Sequence, residues 1–485
     1  MDGDVCEDLR EFIERAKAIT EWREINGASW DLEISTLIEA TAELVPQPPM
    51  LLFDRIRDYP PGFRVVGLPY ADYRRVALAF GLSHEKTKLE LVRLASRKIR
   101  SAQGLKPQEI SPAPIMENSM KESGVDLFKF PALRSHASDG GRYIGTGCVM
   151  INQDPESGFI NMGTYRMQLH ERNLLGLWMS PGQHGQTICS RYWEKGKSCP
   201  VVATFGQDPL TLMAASAKIP WGRSELEFVG GLRGKPLAIV KGPGTGLPIP
   251  ANAEIAIEGE IPPPGEEARD EGPFGEWTGY YSGGTIGTGE PQPVIRVKAV
   301  YYRDDPILED EAPLWPGAVR VDLNLAAGNV WDQLESAGIQ DVTGVYAHTN
   351  YLWVVAIKQR YAGHAKQAAH ALLACSGSAR QGRFVVVVDD DIDPTNLKEV
   401  LWSMMTRVDP KTDIEIVEGC WSTPLDPRMS PQKKAAQDYT DSRAICYAVR
   451  PFGWLGQFPK VSRPARDLFQ SVVEKYQDLI PFPRP

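Results

Sequence analysis

At 485 residues the chain is too long for one ordinary hydrophobic core, and about 150 residues per domain points to two or three domains. Its 42% hydrophobic and 24% charged residues are a globular balance that excludes a disordered chain, a fibre and a coiled-coil rod. A net charge of −9, from 53 Lys and Arg against 62 Asp and Glu, offers no basic stripe for nucleic acid, and no window approaches the roughly 18–20 apolar residues of a membrane helix.

The acidic opening MDGDVCEDLREF has no apolar segment of the kind a secretory signal needs. Cys6, Cys148, Cys189, Cys199, Cys375, Cys420 and Cys446 are scattered and never form a CxxC pair. A reduced, cytoplasmic setting is expected, without a disulfide framework or a cysteine zinc site. Leu9, Phe12, Ile13 and Ala16 recur at helical spacing behind Asp4, the cap candidate. Leu51, Leu52 and Phe53 read as a short buried strand, and residues 84–100 as an amphipathic helix. The proline-bearing LKPQEISPAPIMENS (105–119) is the first boundary.

Residues 120–310 alternate short β-type runs with Gly and Pro turns: IGTGCVMINQD, FINMGTYRMQLH, CPVVATFG, LAIVKG, AEIAIEGEIP and PVIRVKAVYYR. This spacing predicts an antiparallel barrel or sandwich, closed by the acidic DDPILEDEAPLWPG (304–317). From about residue 330 the pattern is βαβ-like. YLWVVAIK and FVVVVDDDID read as strands, and HAKQAAHALLAC and NLKEVLWSMMTRV as helices. The Val run is typical of a strand buried on both faces. In the tail, Phe469, Val472, Val473 and Tyr476 form a helical apolar stripe that could dock on its own domain or on a partner subunit.

Three motifs read as structural. KGPGTG (241–246) lacks the GxxxxGK[ST] order of a P-loop and is a plain loop. Asp389, Asp390 and Asp391 fall where a strand ends and a helix follows, which suits acidic groups without a metal. His364 and His370 lack the HExxH spacing. The β region carries more chemistry. Asn161 and Arg166 lie five residues apart, so a bulge or turn is needed for both to face one cavity. SPGQHGQ presents Gln183 and His184 on a turn, and Glu225 is placed just before a strand. In EGPFGEWTGYY, Glu271 and Glu276 flank a Pro-Gly turn that can aim both carboxylates into one pocket.

Together these segments resemble the UbiD-like carboxy-lyases, the prenylated-FMN-dependent decarboxylases of aromatic and α,β-unsaturated acids. The resemblance runs from DLREFIERAK through GLRGKP and PANAEIAIEGEI to FVVVVDDDID and TRVDPKTDIEI. Its most specific element is EGPFGEWTGYY with the order Asn161, Arg166, His184, Glu225. It implies an α+β multidomain fold: an N-terminal α/β segment (1–110), a central split β-barrel of flavin-reductase type for the cofactor (111–315), a linker (316–330), a C-terminal α/β oligomerisation domain (331–460) and a terminal helix (461–485).

By the same resemblance, Asn161, His184 and Glu225 are ligands of a divalent cation, usually Mn²⁺, that bridges to the cofactor phosphate; such a mixed N/O donor set suits that ion. K⁺ is implied nearby on the backbone carbonyls of Met162, Ala214, Ala215 and Ala217, with Glu225. Asn161, Met162, Gly163, Thr164, Tyr165, Arg166, Gln183, His184 and Glu225 make the implied cofactor cradle. Arg383, where the family commonly has Lys, is implied on the phosphate, which Arg can hold bidentately. Arg166, Glu271 and Glu276 match the catalytic Glu–Arg–Glu network. Glu276 is assigned as proton donor and Glu271 as the partner of Arg166, with the reverse left open.

The implied reaction is a reversible, non-oxidative decarboxylation through a covalent prenylated-FMN adduct. Loss of CO₂ from an sp² carbon otherwise leaves an unstabilised carbanion, so a cofactor must carry the electrons. The implied partners are a small carboxylic acid, further copies of the chain as a dimer or hexamer, and a flavin prenyltransferase as cofactor supplier. Two other readings are an ordinary FMN oxidoreductase on the same barrel, against which the paired glutamates and metal site speak, and a non-catalytic family member, against which the intact triad speaks. Which acid is the substrate stays open. Tyr346, His348 and Trp353 are candidates for the pocket wall or ordinary packing residues.

Overall fold

The computed structural model describes residues 4–217, 219–282, 291–315 and 325–480. The helix Leu9–Lys17 buries Leu9, Phe12, Ile13 and Ala16, as the spacing predicts. Its cap is Asp8, whose carboxylate accepts from the Glu11 N–H at 2.7 Å. Asp4 lies too far upstream for that role, and its carbonyl accepts instead from Arg15. Strands Trp22–Asn26, Met50–Asp54 and Arg64–Gly67 form a sheet completed by Ile307–Asp310, which pairs parallel to Arg64–Gly67. The segment expected to close the central region thus belongs to the N-terminal sheet.

The central sheet has ten strands. Its main path runs Arg142–Gly145, Met167–Glu171, Leu174–Leu177, Gln292–Tyr302, Ile255–Ile261, Cys199–Phe205, Cys148–Gln153, Ile160–Gly163. Only Thr164, Tyr165 and Arg166 separate Ile160–Gly163 from Met167–Glu171, and only Thr146 and Thr146's neighbour Gly147 separate Arg142–Gly145 from Cys148–Gln153. Such links reach at most roughly 14 Å, yet each joins strands from opposite ends of the path. The sheet is therefore curled until its edges approach, and the links cross the cleft between them. The run FINMGTYRMQLH is two strands, broken where Asn161 and Arg166 need a turn to face one cavity. LAIVKG leaves this sheet: Ala238–Lys241 pairs with Pro248–Pro250 and Gln108–Glu109. The KGPGTG loop does clasp an anion, but an internal one. The Gly244 and Thr245 N–H groups and the Thr245 hydroxyl donate to Glu258.

The C-terminal sheet has the order Val342–Thr349, Leu352–Ile357, Phe384–Asp389, Thr440–Ala448, Ile414–Trp421. Val385, Val386, Val387 and Val388 are buried on both faces. Asp389 is structural, held by Arg407, Gln359 and the Arg450 N–H, while Asp391 pairs bidentately with Arg407. Helix Leu325–Ser336 occupies the end of the stretch read as linker; residues 316–324 lie outside the described ones. It packs on helix Lys88–Ser101, where a Cβ on Gly328 would sit 3.0 Å from the Ser96 nitrogen. One hydrophobic cluster therefore runs from Val76 through Leu334 to Val387. The terminal helix Arg466–Tyr476 leaves Leu468, Phe469, Val472 and Tyr476 exposed. All seven cysteines are unpaired, and among the described residues no helix is long and apolar enough to cross a membrane.

The buried Asp310 carboxyl accepts from the Thr146 hydroxyl at 3.0 Å. Burial pushes it up from 3.8 to about 6, with the Thr146 bond opposing. The folded chain therefore holds this proton more tightly than the unfolded one. That contribution is complete below 3.8 and is lost as pH rises towards about 6. Asp310→Asn, which cannot ionise, is expected to gain stability over the wild type across that interval and to keep the gain above it, at most roughly 3 kcal/mol. Thermal unfolding of both proteins at several pH values checks this; equal pH profiles would refute it.

Candidate active site

Three helices pack against the strand Ile160–Gly163: His184–Trp193, Glu225–Arg233 and Pro209–Ser216, which carries Ala214 and Ala215 and is capped by Ala217. Glu225 opens a helix, not a strand. Ser224 precedes it, Glu227 joins it in the first turn, and Gly234 ends the helix in a left-handed conformation. The glycines of this helix are needed for packing, since a Cβ on Gly231 would lie 2.3 Å from the Gln103 carbonyl oxygen.

Glu225 is buried and accepts from the Met162 N–H at 3.0 Å. Burial pushes its carboxyl up to about 7, and no basic side chain pairs with it among the described residues. Asn161 donates to Asn152 at 3.1 Å, and Asn152 donates to the Gly185 carbonyl at 3.1 Å. The Gly185 N–H donates to the Tyr165 hydroxyl at 3.0 Å. These bonds tie the start of the His184 helix to the strand. The His184 ring meets Trp221 edge-on at 5.2 Å, and burial lowers its proton affinity, favouring neutral imidazole. Asn161, His184 and Glu225 are thus oxygen and nitrogen donors beside two helix N-termini, where backbone N–H groups favour an anion. Among the described residues no group of three His, Cys, Asp or Glu gathers.

Arg166 follows in the link to the next strand and is itself buried. Its Nε and one terminal nitrogen donate to the two Glu271 oxygens at 2.5 and 2.7 Å, while its other terminal nitrogen pairs with Glu276. The Ser282 hydroxyl donates to the same Glu276 oxygen at 2.9 Å. The guanidinium is packed between the rings of Trp178 (4.7 Å) and Phe274 (4.9 Å). Short strands Phe274–Gly275 and Tyr281–Ser282 form the hairpin that aims Glu276. Glu271 is set by a close approach of backbones. A Cβ on Gly140 would sit 2.1 Å from the Gly272 Cα, and the Gly140 N–H donates to the Pro273 carbonyl at 2.7 Å. Arg166 and Glu276 open onto a cavity of about 300 Å³ that Thr164, Tyr165 and Gln183 also line. Arg380, Gln381, Thr423 and Leu425 close it from the C-terminal unit.

Three domains of one family match the chain in order. They are described as the N-terminal domain (residues 13–95), the Rift-related domain (107–314) and the C-terminal domain (325–448) of 3-octaprenyl-4-hydroxybenzoate carboxy-lyase, UbiD. The phenolic acid decarboxylase of Bacillus subtilis (strain 168) is 31% identical over 88% of this chain and 90% of its own. The chain belongs to the UbiD family. The pyrrole-2-carboxylic acid decarboxylase of Pseudomonas aeruginosa is 29% identical over 96% of both chains. Among UbiD structures, Sedimentibacter hydroxybenzoicus vanillic acid decarboxylase in its closed form matches with TM-score 0.82 and 28% identity, covering 98% of this chain and 99% of that one. The UbiD-class enzyme HmfF from Pelotomaculum thermopropionicum, in an evolved dimeric form with prFMN, matches with TM-score 0.79 and 25% identity, covering 95% and 98%.

Not every residue implied by the UbiD resemblance gathers here. Arg383 is not among the cavity residues: it pairs with Asp426 and Asp441 (3.4 Å) and lies over the Tyr351 ring at 4.5 Å. Two carboxylates within its reach hold it there. Tyr346, His348 and Trp353 do not line the cavity either. His348 bonds the Pro394 carbonyl, and Tyr346 and Trp353 are buried in the core. Sequence reasoning missed Trp178, Phe274 and Ser282, which hold Arg166 and Glu276. Phe274 stands inside EGPFGEWTGYY and was within reach; Trp178 and Ser282 carry no local signature.

Proposed function

We propose that this UbiD-family chain decarboxylates an aromatic or α,β-unsaturated carboxylic acid reversibly and without net oxidation, using prenylated FMN. The observation that carries this reading is the buried Glu271–Arg166–Glu276 triad, whose Arg166 and Glu276 face a small cavity. Hydride transfer by an ordinary flavin needs no such pair of carboxylates. When bound, the prenylated flavin supplies the electron sink that loss of CO₂ from an sp² carbon requires.

The chain's residues do the rest. Asn161, His184 and Glu225 would hold a divalent cation, Mn²⁺ by donor type. Glu225, buried without a basic partner, fits a cation ligand, and the helix starts at His184 and Glu225 fit a phosphate. The carbonyls of Met162, Ala214, Ala215 and Ala217 would take K⁺. Glu271, bidentate on Arg166, fixes the guanidinium that orients the incoming carboxylate. Glu276 delivers the proton to the carbon that CO₂ leaves. Relatives that decarboxylate phenolic acids and pyrrole-2-carboxylic acid support an acid of one ring as the substrate. We assign the cofactor to a central split barrel (111–315). The exposed Leu401, Trp402 and Met405, with Phe469 and Val472 of the terminal helix, support a homo-oligomer contact of the C-terminal domain.

The test is native mass spectrometry of protein made anaerobically with and without a co-expressed flavin prenyltransferase, with Mn and K content and CO₂ release from a panel of aromatic acids measured on the same samples. A mass of prenylated FMN only with the prenyltransferase, accompanied by Mn and CO₂ release, is expected. Plain FMN in both samples with NAD(P)H oxidation would favour an oxidoreductase, and no flavin in either would overturn the reading.

A further inference from the structure

Arg380 sits in the turn between helix His364–Ala374 and strand Phe384–Asp389, only 7% exposed and on the wall of the active-site cavity. Its Nε is buried without a hydrogen-bond partner, and no carboxylate pairs with it among the described residues. Its guanidinium rests 5.3 Å from the Trp421 ring. The other deeply buried arginines are tied down. Arg75 donates to the carbonyls of Pro48, Leu68 and Pro69, Arg407 pairs with Asp389 and Asp391, and Arg233 pairs with Asp208. A buried cation without a counter-charge is costly, so the position makes physical sense when an anion completes it.

The charge balance of the cavity says which anion. Arg166, which orients the incoming carboxylate, already carries the bidentate Glu271 and a contact to Glu276, so its positive charge is largely offset. Arg380 adds an uncompensated positive charge from the opposite, C-terminal wall. We propose that Arg380 recognises an oxyanion in this cavity, namely the carboxylate of the bound acid, and so selects the acid over its decarboxylated product. The pairing vanishes with CO₂, so the same residue favours product release. The choice of acid rests on the decarboxylase reading; recognition of a carboxylate does not. A flavin phosphate has similar chemistry, and the experiment separates the two.

Wild type, Arg380→Gln and Arg380→Lys, each loaded with cofactor, are titrated calorimetrically with 3,4-dihydroxybenzoate, pyrrole-2-carboxylate and cinnamate, and with catechol as a decarboxylated counterpart. Flavin content is measured on each. R380Q is expected to weaken acid binding about tenfold or more, to leave catechol within about twofold, and to keep its flavin. R380K recovers part of the loss, and in turnover KM rises more than kcat falls. Equal weakening of acid and catechol, unchanged acid affinity, or a wild type that binds none of the three acids would overturn the proposal. Loss of flavin from R380Q would overturn it too, moving Arg380 to the phosphate. Acid binding that depends on Arg380 in a protein that releases no CO₂ would sink the decarboxylase reading alone.

Discussion

Glu276→Gln is expected to bind prenylated FMN at wild-type stoichiometry and to release CO₂ roughly a hundred- to ten-thousand-fold more slowly, the range a positioned proton donor contributes. The geometry makes this substitution clean. A glutamine side chain is isosteric, and its oxygen can still accept from Arg166 and from the Ser282 hydroxyl, which donates at 2.9 Å. What is lost is a proton that can be delivered to carbon. Glu271→Gln acts differently, because Glu271 holds Arg166 through both oxygens and an amide has only one acceptor. Its loss should raise KM as Arg166 turns, and should leave deuterium from solvent still entering the product. CO₂ release and solvent deuterium incorporation on both variants separate the roles. A Glu276→Gln enzyme working at the wild-type rate would pass the donor role to Glu271.

How far these roles could be read in advance depended on how local each feature is. Glu271 and Glu276 were legible because one short motif carries both and the hairpin that aims them. The need for a break between Asn161 and Arg166 followed from strand periodicity, and the chain breaks there. Non-local packing was not legible. Ile307–Asp310 pairs with a strand some 240 residues earlier, and nothing in its own composition names that partner. Glu225 opens a helix despite Gly230 and Gly231, because backbone from 103–105 lies against both glycines and leaves no room for side chains. Propensity pointed the wrong way where tertiary contact decided. The pairing of Arg383 with Asp426 and Asp441 was not legible either, because their approach is fixed only by the C-terminal sheet. Arg380, Thr423 and Leu425 reach the cavity through the packing of that unit on the curled sheet, which no local pattern records.

Arg166→Ala should be the most damaging single change to the folded state as well as to the reaction. The side chains of Arg166, Glu271 and Glu276 are 8%, 2% and 6% exposed. Removing the guanidinium strands the Glu271 carboxylate in a site built around it, and breaking a buried pair from one side costs about 3–5 kcal/mol. Most of that loss is uncompensated charge, so adding Glu271→Gln to Arg166→Ala should restore stability while leaving the enzyme inactive. Addition of a second destabilising mutation that stabilises is an outcome a pure packing role would not give, because Trp178 and Phe274 lose the same stacking partner in both proteins. Arg166→Lys separates charge from shape. It keeps one positive charge but cannot hold Glu271 bidentately and reach Glu276 at once. It should therefore unfold within a few degrees of the wild type and still lose most CO₂ release. Thermal unfolding and turnover of the three variants, with flavin content as a control, decide the matter. If Arg166→Ala is as stable as the wild type, the bidentate contact between Glu271 and Arg166 is not a stabilising buried ion pair, and the ion-pair account of the triad fails.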